Sequence, residues 1–178
     1  MQFPAISGSP RAASTNTSLL RAAAVLAPED VTIKLYDGLG DLPHFNPDLD
    51  TELPPLAVAR FRLQLRNAAG VIISTPEYAH GVPGVLKNAL DWLVASGELY
   101  EKLVAIFSAS PRTNYAQSSL VETLTVMTAR IVSEACIVLP VQGKNLDKYG
   151  IVSERDISRT VRCALIAFAR AASLQEQY

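Results

Sequence analysis

The sequence has few of the residue types that build metal sites or disulfide frameworks. Among 178 residues there are two cysteines, Cys136 and Cys163, and two histidines, His44 and His80. The cysteines do not form a C-x-x-C pair, and the histidines are too few for the usual soft-ligand sites. Because both cysteines stand among apolar residues, we expect two buried thiols in a reducing compartment, and we expect no metal.

Charge of one sign and long apolar runs are also missing. The net charge is −1, and the lysines and arginines are scattered singly, so no basic stripe is available for a nucleic-acid backbone. No apolar run approaches the roughly 20 residues of a membrane span, and no basic, apolar leader opens the sequence. We therefore expect a cytoplasmic protein that binds neither nucleic acid nor membrane.

Apolar residues are abundant, at 49% of the chain against 19% charged residues. A parallel sheet that is covered by helices on both faces needs continuous apolar strands, which would produce this bias. The length is most simply that of one domain over residues 1–178. A subunit interface would add to the bias, because surface that a partner covers need not be charged.

Short apolar runs alternate with helical patterns along the whole chain. Strands are predicted over Phe3–Ser7, Val31–Tyr36, Gly70–Ser74, Lys102–Ser108 and Cys136–Leu139. Helices are predicted over Thr15–Leu26, Pro55–Asn67, Pro83–Ala95 and Gln117–Met127, and from Ser153 to Ala172. Five strands interleaved with five helices predict an α/β fold with a doubly wound, five-stranded parallel sheet.

Two helices carry specific expectations about burial. The helix after Pro55 is predicted to bury Leu56, Ala59 and Leu63. The helix after Pro83 has a core-facing stripe and, beside it, a second apolar stripe with Val85 and Trp92. This second stripe indicates either a subunit contact or a wide core-facing surface.

One connection, residues 37–54, is unusually long and contains three prolines. Loops of this length in compact domains are often lids or binding loops. A passive surface excursion is the alternative, and the sequence leaves both open.

The loop after the first strand has the composition of an anion site. It reads Gly8-Ser9-Pro10-Arg11-Ala12-Ala13-Ser14-Thr15-Asn16 and leads into a helix, whose amino end carries unpaired N–H groups. Ser9, Ser14 and Thr15 add hydroxyl donors, and Arg11 adds a planar fork that suits phosphate oxygens. The loop is neither a Walker loop nor G-x-G-x-x-G. An ordinary strand–helix turn with Ser14 as N-cap is the alternative.

A second stiff loop follows the third strand, with the sequence Pro76-Glu77-Tyr78-Ala79-His80-Gly81. Glu77 is either an acid or base or, as we favour, a solvated or capping residue. Tyr78 either stacks on an aromatic ligand or covers the core, and His80 could donate to a ligand carbonyl. Together with the first loop, this segment predicts a mononucleotide at the edge of a parallel sheet.

Both loops resemble motifs of the NADPH-dependent FMN reductases. The first resembles G-S-x-R-x-x-S-x-N, and the second resembles P-E-Y-N-x-x-x-P-G-x-L-K-N-x-x-D-W, which here runs from Pro76 to Trp92. The order of strands and helices fits this family over nearly the full chain. The resemblance implies a flavodoxin-like fold with strand order 2-1-3-4-5 and helices on both faces.

The resemblance also implies FMN as cofactor and NAD(P)H as co-substrate. The FMN phosphate would lie on the first loop, and the isoalloxazine ring would lie along the second, with a third ligand loop at residues 109–115. The implied cofactor-binding residues are Ser9, Arg11, Ser14, Thr15, Asn16, Pro76, Glu77, Tyr78, Ala79, Gly81, Ser108, Ser110 and Pro111. Arg112, His80 and Tyr115 are the candidate substrate-binding residues, and for Arg112, a candidate for the nicotinamide nucleotide phosphate, we favour the alternative of an ordinary surface arginine.

Two departures from the family pattern are visible. Ala79 replaces the asparagine after Pro-Glu-Tyr, which removes a side-chain hydrogen bond to the ring or to a neighbouring loop. The third loop lacks the glycine pair of its relatives and carries Arg112, Asn114 and Tyr115. Flavin affinity or the electron acceptor would be the property that differs.

The activity that the resemblance implies is ping-pong transfer of hydride from NAD(P)H to FMN and then to an acceptor. The acceptor would be a quinone, an azo dye, free flavin or an oxidised metal ion, and no catalytic side chain is expected because flavin N5 carries the chemistry. Self-association to a homodimer or tetramer through residues 83–95 is implied as well. An FMN-binding sensor or electron carrier, and a scaffold without FMN, are the alternatives.

Overall fold

The computed structural model describes residues 1–175, which contain six strands and six α-helices. The strands are β1 (Gln2–Ser7), β2 (Thr32–Tyr36), β3 (Val71–Ser74), β4 (Leu103–Ser108), β5 (Arg130–Ile131) and β6 (Ile137–Val138). The helices are α1 (Thr15–Leu26), α2 (Leu56–Arg66), α3 (Gly84–Asp91), α4 (Asn114–Val126), α5 (Lys148–Ser153) and α6 (Arg155–Gln175). Short 3-10 turns lie at Gly38–Asp41, Pro47–Leu49 and Ser133–Ala135.

The sheet has the predicted order. It runs β2-β1-β3-β4-β5, every pairing is parallel, and β6 also pairs with β4. β3 and β4 are buried at every position, as strands covered on both faces must be. The chain reverses its winding direction at β1 and β3, so the crevice at the carboxyl ends of these two strands is the expected ligand position.

Each face of the sheet carries its own core. One lies under α1 and α6 and includes Ile72 and Phe168, and the other lies under α2, α3 and α4 and includes Ile73. Ile72 and Ile73 are neighbours in β3 whose side chains point to opposite faces, which divides the apolar residues between the two cores. Within residues 1–175, no helix combines the length and apolarity that a membrane crossing requires.

The fifth position of the sheet differs from the prediction of one strand over Cys136–Leu139. Two short strands share it: β5 pairs with the first half of β4 and β6 with its last two residues. Between them, the turn at Ser133–Ala135 bends the chain, and the Cys136 Sγ accepts the N–H of Ile106 at 3.3 Å. A side chain thus replaces one bond of the ladder, which interrupts the strand.

Several helix boundaries differ from prediction. α4 begins at Asn114 instead of Gln117, so the third loop ends at Thr113. α3 ends at Asp91 instead of Ala95, because the chain tightens there into turns. Ser153 ends α5 and does not cap the last helix, which begins at Arg155.

The buried face of α2 was predicted wrongly. Leu56 and Leu63 are 65% and 54% exposed, and the helix instead buries Val58, Phe61 and Leu65. Arg62 is buried with them, because its guanidinium finds polar partners inside the protein. It forms an ion pair with Asp50 at 2.8 Å and donates to the carbonyl of Trp92 through Nε at 3.1 Å. The sequence contains two apolar stripes on this helix, and the buried arginine marks the inner one.

Two further expectations about burial need correction. Cys163 is exposed on the outer side of α6, whereas Cys136 is half-buried. Burial raises the pKa of the Cys136 thiol. Trp92 is completely buried within its own chain, where Phe45 packs edge-on against it with ring centroids 5.1 Å apart. Through Trp92, the second apolar stripe therefore contributes to the core of its own chain, which favours a wide core-facing surface over a subunit contact.

Candidate functional site

Three loops meet at the carboxyl edge of the sheet, and we name them after the preceding strand. Loop 1 is residues 8–14, loop 3 is residues 75–83, and loop 4 is residues 109–113. They contain or adjoin the motif residues that the sequence singles out, because the carboxyl ends of parallel strands share one edge. A fourth segment, residues 139–147, follows β6 at the same edge.

A small cavity of about 90 Å³ lies between these loops, and we call it the hydroxyl cavity. It has room for about three water molecules, which is the scale of a phosphate group and too small for a ring system. Seven of the predicted cofactor-binding residues line it: Ser9, Arg11, Ser14, Thr15, Asn16, Tyr78 and Ser110. Ala109, Thr113 and Gln142 complete the lining. Loop 1 and loop 4 thus contribute to a common pocket.

The electrostatics of the hydroxyl cavity favour an anion. Its lining contains one cation, Arg11, and no carboxylate. Ser14 is the N-cap of α1, as predicted, and its Oγ accepts the N–H of Thr17 at 3.3 Å. Among residues 1–175, no acceptor bonds the backbone N–H groups of residues 11–16. Free N–H groups at a helix amino end bind anions well.

Loop 1 is packed directly against β3 and loop 3. The N–H of Gly8 donates to the carbonyl of Ser74 at 2.8 Å, and a Cβ at Gly8 would approach Thr75 Oγ1 to 2.5 Å. The buried Ser74 hydroxyl donates to Asn16 Oδ1 at 2.9 Å. The predicted site residue Asn16 therefore fixes the first turn of α1 to the sheet while its side chain lines the cavity.

Loop 3 makes a tight turn at Tyr78, Ala79, His80 and Gly81. Tyr78 and Gly81 exchange two backbone hydrogen bonds of 3.1 and 3.0 Å, and φ is +48° at Ala79 and +59° at His80. Positive φ at both central positions is the pattern of a type I′ turn, which favours asparagine and glycine. The asparagine of the family pattern at position 79 thus has a backbone explanation, because alanine is strained in this conformation.

Two contacts join loop 3 to the first turn of α4. The Glu77 carboxylate accepts the N–H of Ala116 at 3.0 Å through Oε2. The rings of His80 and Tyr115 are stacked, with centroids 4.3 Å apart and planes 13° apart. Thr113 gives α4 no side-chain cap, so Glu77 supplies the missing acceptor from another loop. The favoured reading of Glu77 as a capping residue is confirmed.

Loop 4 is held by its own hydroxyl groups. Ser108 is buried, and its Oγ donates to the carbonyl of Ser110 at 2.7 Å and lies 2.9 Å from Thr113 Oγ1. The N–H of Arg112 donates to Ser110 Oγ at 3.1 Å. Ser108 therefore lies beneath the loop, while the Arg112 side chain is exposed outside the hydroxyl cavity.

The remaining predicted residues lie around the hydroxyl cavity and not in its wall. They are Pro76, Glu77, Ala79, His80, Gly81, Pro111, Arg112 and Tyr115. Ala109 and Thr113 belong to the predicted third ligand loop at residues 109–115, although they are not among the individually predicted binding residues, and sequence reasoning missed Gln142. Gln142 follows β6, so the rule that ligands bind at the carboxyl edge of the sheet could have found it.

The long connection at residues 37–54 is anchored to α3. The Asn88 side chain accepts the N–H of Phe45 at 2.7 Å and donates to the carbonyl of Pro43 at 3.0 Å. The Trp92 indole donates to the same Pro43 carbonyl at 2.8 Å. Two motif residues of the α3 segment thus hold this loop in place.

Comparison with known proteins agrees with this geometry. The sequence profile described as NADPH-dependent FMN reductase matches residues 1–143. The chain belongs to the NADPH-dependent FMN reductase family. An NAD(P)H-dependent FMN reductase from Pseudomonas aeruginosa is 36% identical over 154 residues, which cover 80% of this chain and 83% of that protein.

Other family relatives match over shorter stretches. A quinone reductase from Pseudomonas putida is 44% identical over 84 residues, 47% of this chain and 45% of its own length. A 2-hydroxy-1,4-benzoquinone reductase from a Burkholderia species is 44% identical over 92 residues, 52% of this chain and 49% of its own length. The chain thus spans about half the length of these curated relatives.

Solved structures support the fold over the whole length. The flavoenzyme NAD(P)H:(acceptor) oxidoreductase from Paracoccus denitrificans superposes with a TM-score of 0.79 at 25% identity, over 97% of each chain. An archaeal flavodoxin superposes with a TM-score of 0.64 at 12% identity, over 96% of this chain and 98% of its own. The flavodoxin-like fold is therefore confirmed.

Proposed function

We propose that this family member is an FMN-dependent NAD(P)H oxidoreductase that reduces a quinone-type acceptor. The observation that carries the proposal is the hydroxyl cavity, whose size, free N–H groups and single cation match the phosphate of FMN. The names of relatives, two of which are quinone reductases, support the acceptor class.

The residues divide into three groups under this proposal. Ser9, Arg11, Ser14 and Thr15, with the N–H groups of residues 11–16, would hold the phosphate, and Arg11 would neutralise part of its charge. Loop 3 would carry the isoalloxazine ring along Pro76–Gly81, largely through its main chain. His80, Arg112 and Tyr115 would face the nicotinamide nucleotide or the acceptor.

Bound FMN would supply hydride acceptance and electron transfer to the acceptor, so the chain needs no general acid or base of its own. The task of the chain is then to bind and orient flat ligands in turn at one open edge. Rigid loops serve this task, and loop 3 is fixed at both sides by Gly8–Thr75 packing and by the Glu77–Ala116 hydrogen bond. We propose the ping-pong order on the same ground.

We also propose that the protein self-associates through residues 83–95 and works in the cytoplasm. Trp92 lends the interface no support, because it is buried in its own chain. Val94, which is 60% exposed, is the apolar side chain that this segment presents outward. Sedimentation of the wild-type protein and of a Val94→Lys variant tests the interface. If residues 83–95 form it, the variant should sediment as a smaller assembly.

The experiment that tests the activity is anaerobic. Protein loaded with FMN is mixed with NADPH in a stopped-flow instrument, and the visible flavin absorbance is followed. We expect rapid bleaching that reverses when 1,4-benzoquinone is added. Bound flavin that stays oxidised would contradict a reductase and would support the FMN-binding sensor or carrier.

A further inference from the structure

A second, larger cavity adjoins the hydroxyl cavity on the side of β2. It has a volume of about 520 Å³, and we call it the β2-side cavity. Ser9 and Arg11 line both cavities, so the two share a wall. Its volume lies within the range of about 300–1,000 Å³ that is usual for small-molecule sites. The FMN phosphate and ring require other surfaces, so the proposed function leaves this cavity unassigned.

Two arginines from different elements line the β2-side cavity. Arg21 lies one helical turn after Thr17, so both point to the same side of α1 and both line the cavity. Arg11 lies opposite, in loop 1. Within residues 1–175, neither arginine forms a salt bridge. Two uncompensated guanidinium groups at one cavity favour a phosphate-bearing ligand.

The opposite wall is built from the end of β2 and the residues after it. Leu35 and Leu39 are apolar and largely covered, whereas the ring of the half-buried Tyr36 packs against Phe61 of α2, with centroids 4.7 Å apart. Asp37 adds an exposed carboxylate directly after the strand. Burial, assisted by the carboxylates of Asp41 and Asp37, raises the pKa of Tyr36 to about 12, so its phenol stays a neutral donor. This wall offers an apolar surface for a base and an acceptor for hydroxyl groups.

We propose that the β2-side cavity binds the adenosine 5′-phosphate portion of a dinucleotide. Arg21 and Arg11 pair with the phosphate, Leu35 and Leu39 give the adenine an apolar surface, and the Asp37 carboxylate accepts from the ribose hydroxyls. In dinucleotide-binding Rossmann folds, whose strand order differs from the order here, a carboxylate that follows the glycine-rich loop by about 20 residues accepts from a ribose hydroxyl.

Two dinucleotides carry this group: NAD(P)H, which is the proposed co-substrate, and FAD, which would take the place of FMN as the flavin. In FAD, the adenylate extends from the flavin phosphate, which would occupy the hydroxyl cavity next door. In NADH or NADPH, it extends from the nicotinamide nucleotide. The inference rests on the proposed function for the choice between them, but the binding of the adenylate group itself does not depend on it.

The test uses calorimetric titration with four probes: FMN, FAD, NADH and 5′-AMP. FMN is titrated first, and 5′-AMP is then titrated into FMN-saturated protein, or into apoprotein if FMN does not bind. Wild type is compared with Arg21→Ala, and Arg159→Ala serves as the matched control because Arg159 is an exposed arginine on α6, outside both cavities.

We expect 5′-AMP to bind to the wild-type protein. Arg21→Ala should weaken the affinity for 5′-AMP roughly tenfold, because a charged hydrogen bond is lost. Arg159→Ala should leave this affinity unchanged. FMN affinity stays within twofold in all three proteins. A parallel loss for FAD assigns the cavity to the flavin, and a parallel loss for NADH assigns it to the co-substrate. No binding of 5′-AMP, or binding that Arg21→Ala leaves unchanged, would overturn the inference. If the wild-type protein does not bind FMN, the proposed function is overturned instead.

Discussion

The Glu77 carboxylate and the Ala116 N–H are joined by a hydrogen bond of 3.0 Å between loop 3 and helix α4. Glu77 stands in loop 3, and Ala116 stands in the first turn of α4. The bond gives α4 a cap from outside its own sequence and places a negative charge at the helix amino end, where it is stabilising. Loop 3 cannot move away from α4 without uncapping the helix.

Replacing Glu77 tests this cap. We expect Glu77→Ala to lower the free energy of unfolding by about 1 kcal/mol, the usual cost of a lost cap. Glu77→Gln should cost less, because its amide oxygen still accepts the Ala116 N–H. Urea unfolding of the three proteins measures both effects. Equal midpoints for wild type and Glu77→Ala would mean that the bond contributes nothing.

Relieving the turn at Ala79 should stabilise the protein. Its φ of +48° costs alanine about 1 kcal/mol relative to glycine or asparagine. We expect Ala79→Gly and Ala79→Asn to raise the melting temperature by roughly 2–4 °C. Ala95→Gly is the control, because Ala95 is an exposed alanine outside the positive-φ residues and should lose stability. A lower melting temperature for both Ala79 variants would rule out strain at this position.

The free energy of unfolding should depend strongly on the buried ion pair of Arg62. Its side chain is 6% exposed, and those of Asp50 and Glu98 are 11% and 0% exposed. Arg62→Ala leaves the Asp50 carboxylate without its cation, whereas Glu98 keeps Arg66 at 3.1 Å, and we expect the substitution to cost about 3 kcal/mol. Arg60→Ala, at an exposed position of the same helix, should change the free energy of unfolding by less than about 0.5 kcal/mol. Urea denaturation gives both values, and similar losses would contradict a role for burial.

Tyr36 should make stability depend on alkaline pH. Its pKa is raised from 10.0 to about 12 by burial and by the carboxylates of Asp41 and Asp37, so the folded state holds this proton more tightly than the unfolded state. The resulting stability is complete below pH 10 and is lost as the pH rises from 10 to 12. We expect the stability difference between wild type and Tyr36→Phe to fall between pH 9 and pH 11. An unchanged difference would disprove the shift.

Much of the fold could be predicted because the sequences of its central strands are compatible with few structures. β3 and β4 read as uninterrupted apolar runs, which only a sheet covered on both faces accommodates. The edge position was harder, since β5 and β6 have two residues each. The side-chain acceptor at Cys136, which divides them, has no signal in the local sequence.

The face of α2 shows what periodicity does not decide. Leu56 and Leu63 lie on one apolar stripe and Phe61 and Leu65 on another, so the pattern allows either to face the core. Arg62 falls on the buried stripe because Asp50 and the Trp92 carbonyl meet it there. These partners come from other elements, and a local pattern does not contain them.

In the site, the motifs identified the residues of loop 1 that line the hydroxyl cavity, because the amino end of a helix is a local feature. Contacts between loops were not predictable in the same way. The partner of Glu77 and the stacking of His80 on Tyr115 depend on how α4 is placed against loop 3. Gln142 reaches the cavity from the far edge of the sheet.

The central claim is that loop 1 and the hydroxyl cavity hold the phosphate of a flavin. The most direct measurement compares the dissociation constants of FMN and riboflavin by quenching of flavin fluorescence. The two ligands share the ring and the ribityl chain and differ only in the phosphate. Several charge-assisted hydrogen bonds would be lost, so we expect riboflavin to bind at least roughly 100-fold more weakly than FMN. Equal affinities for the two ligands would contradict the account.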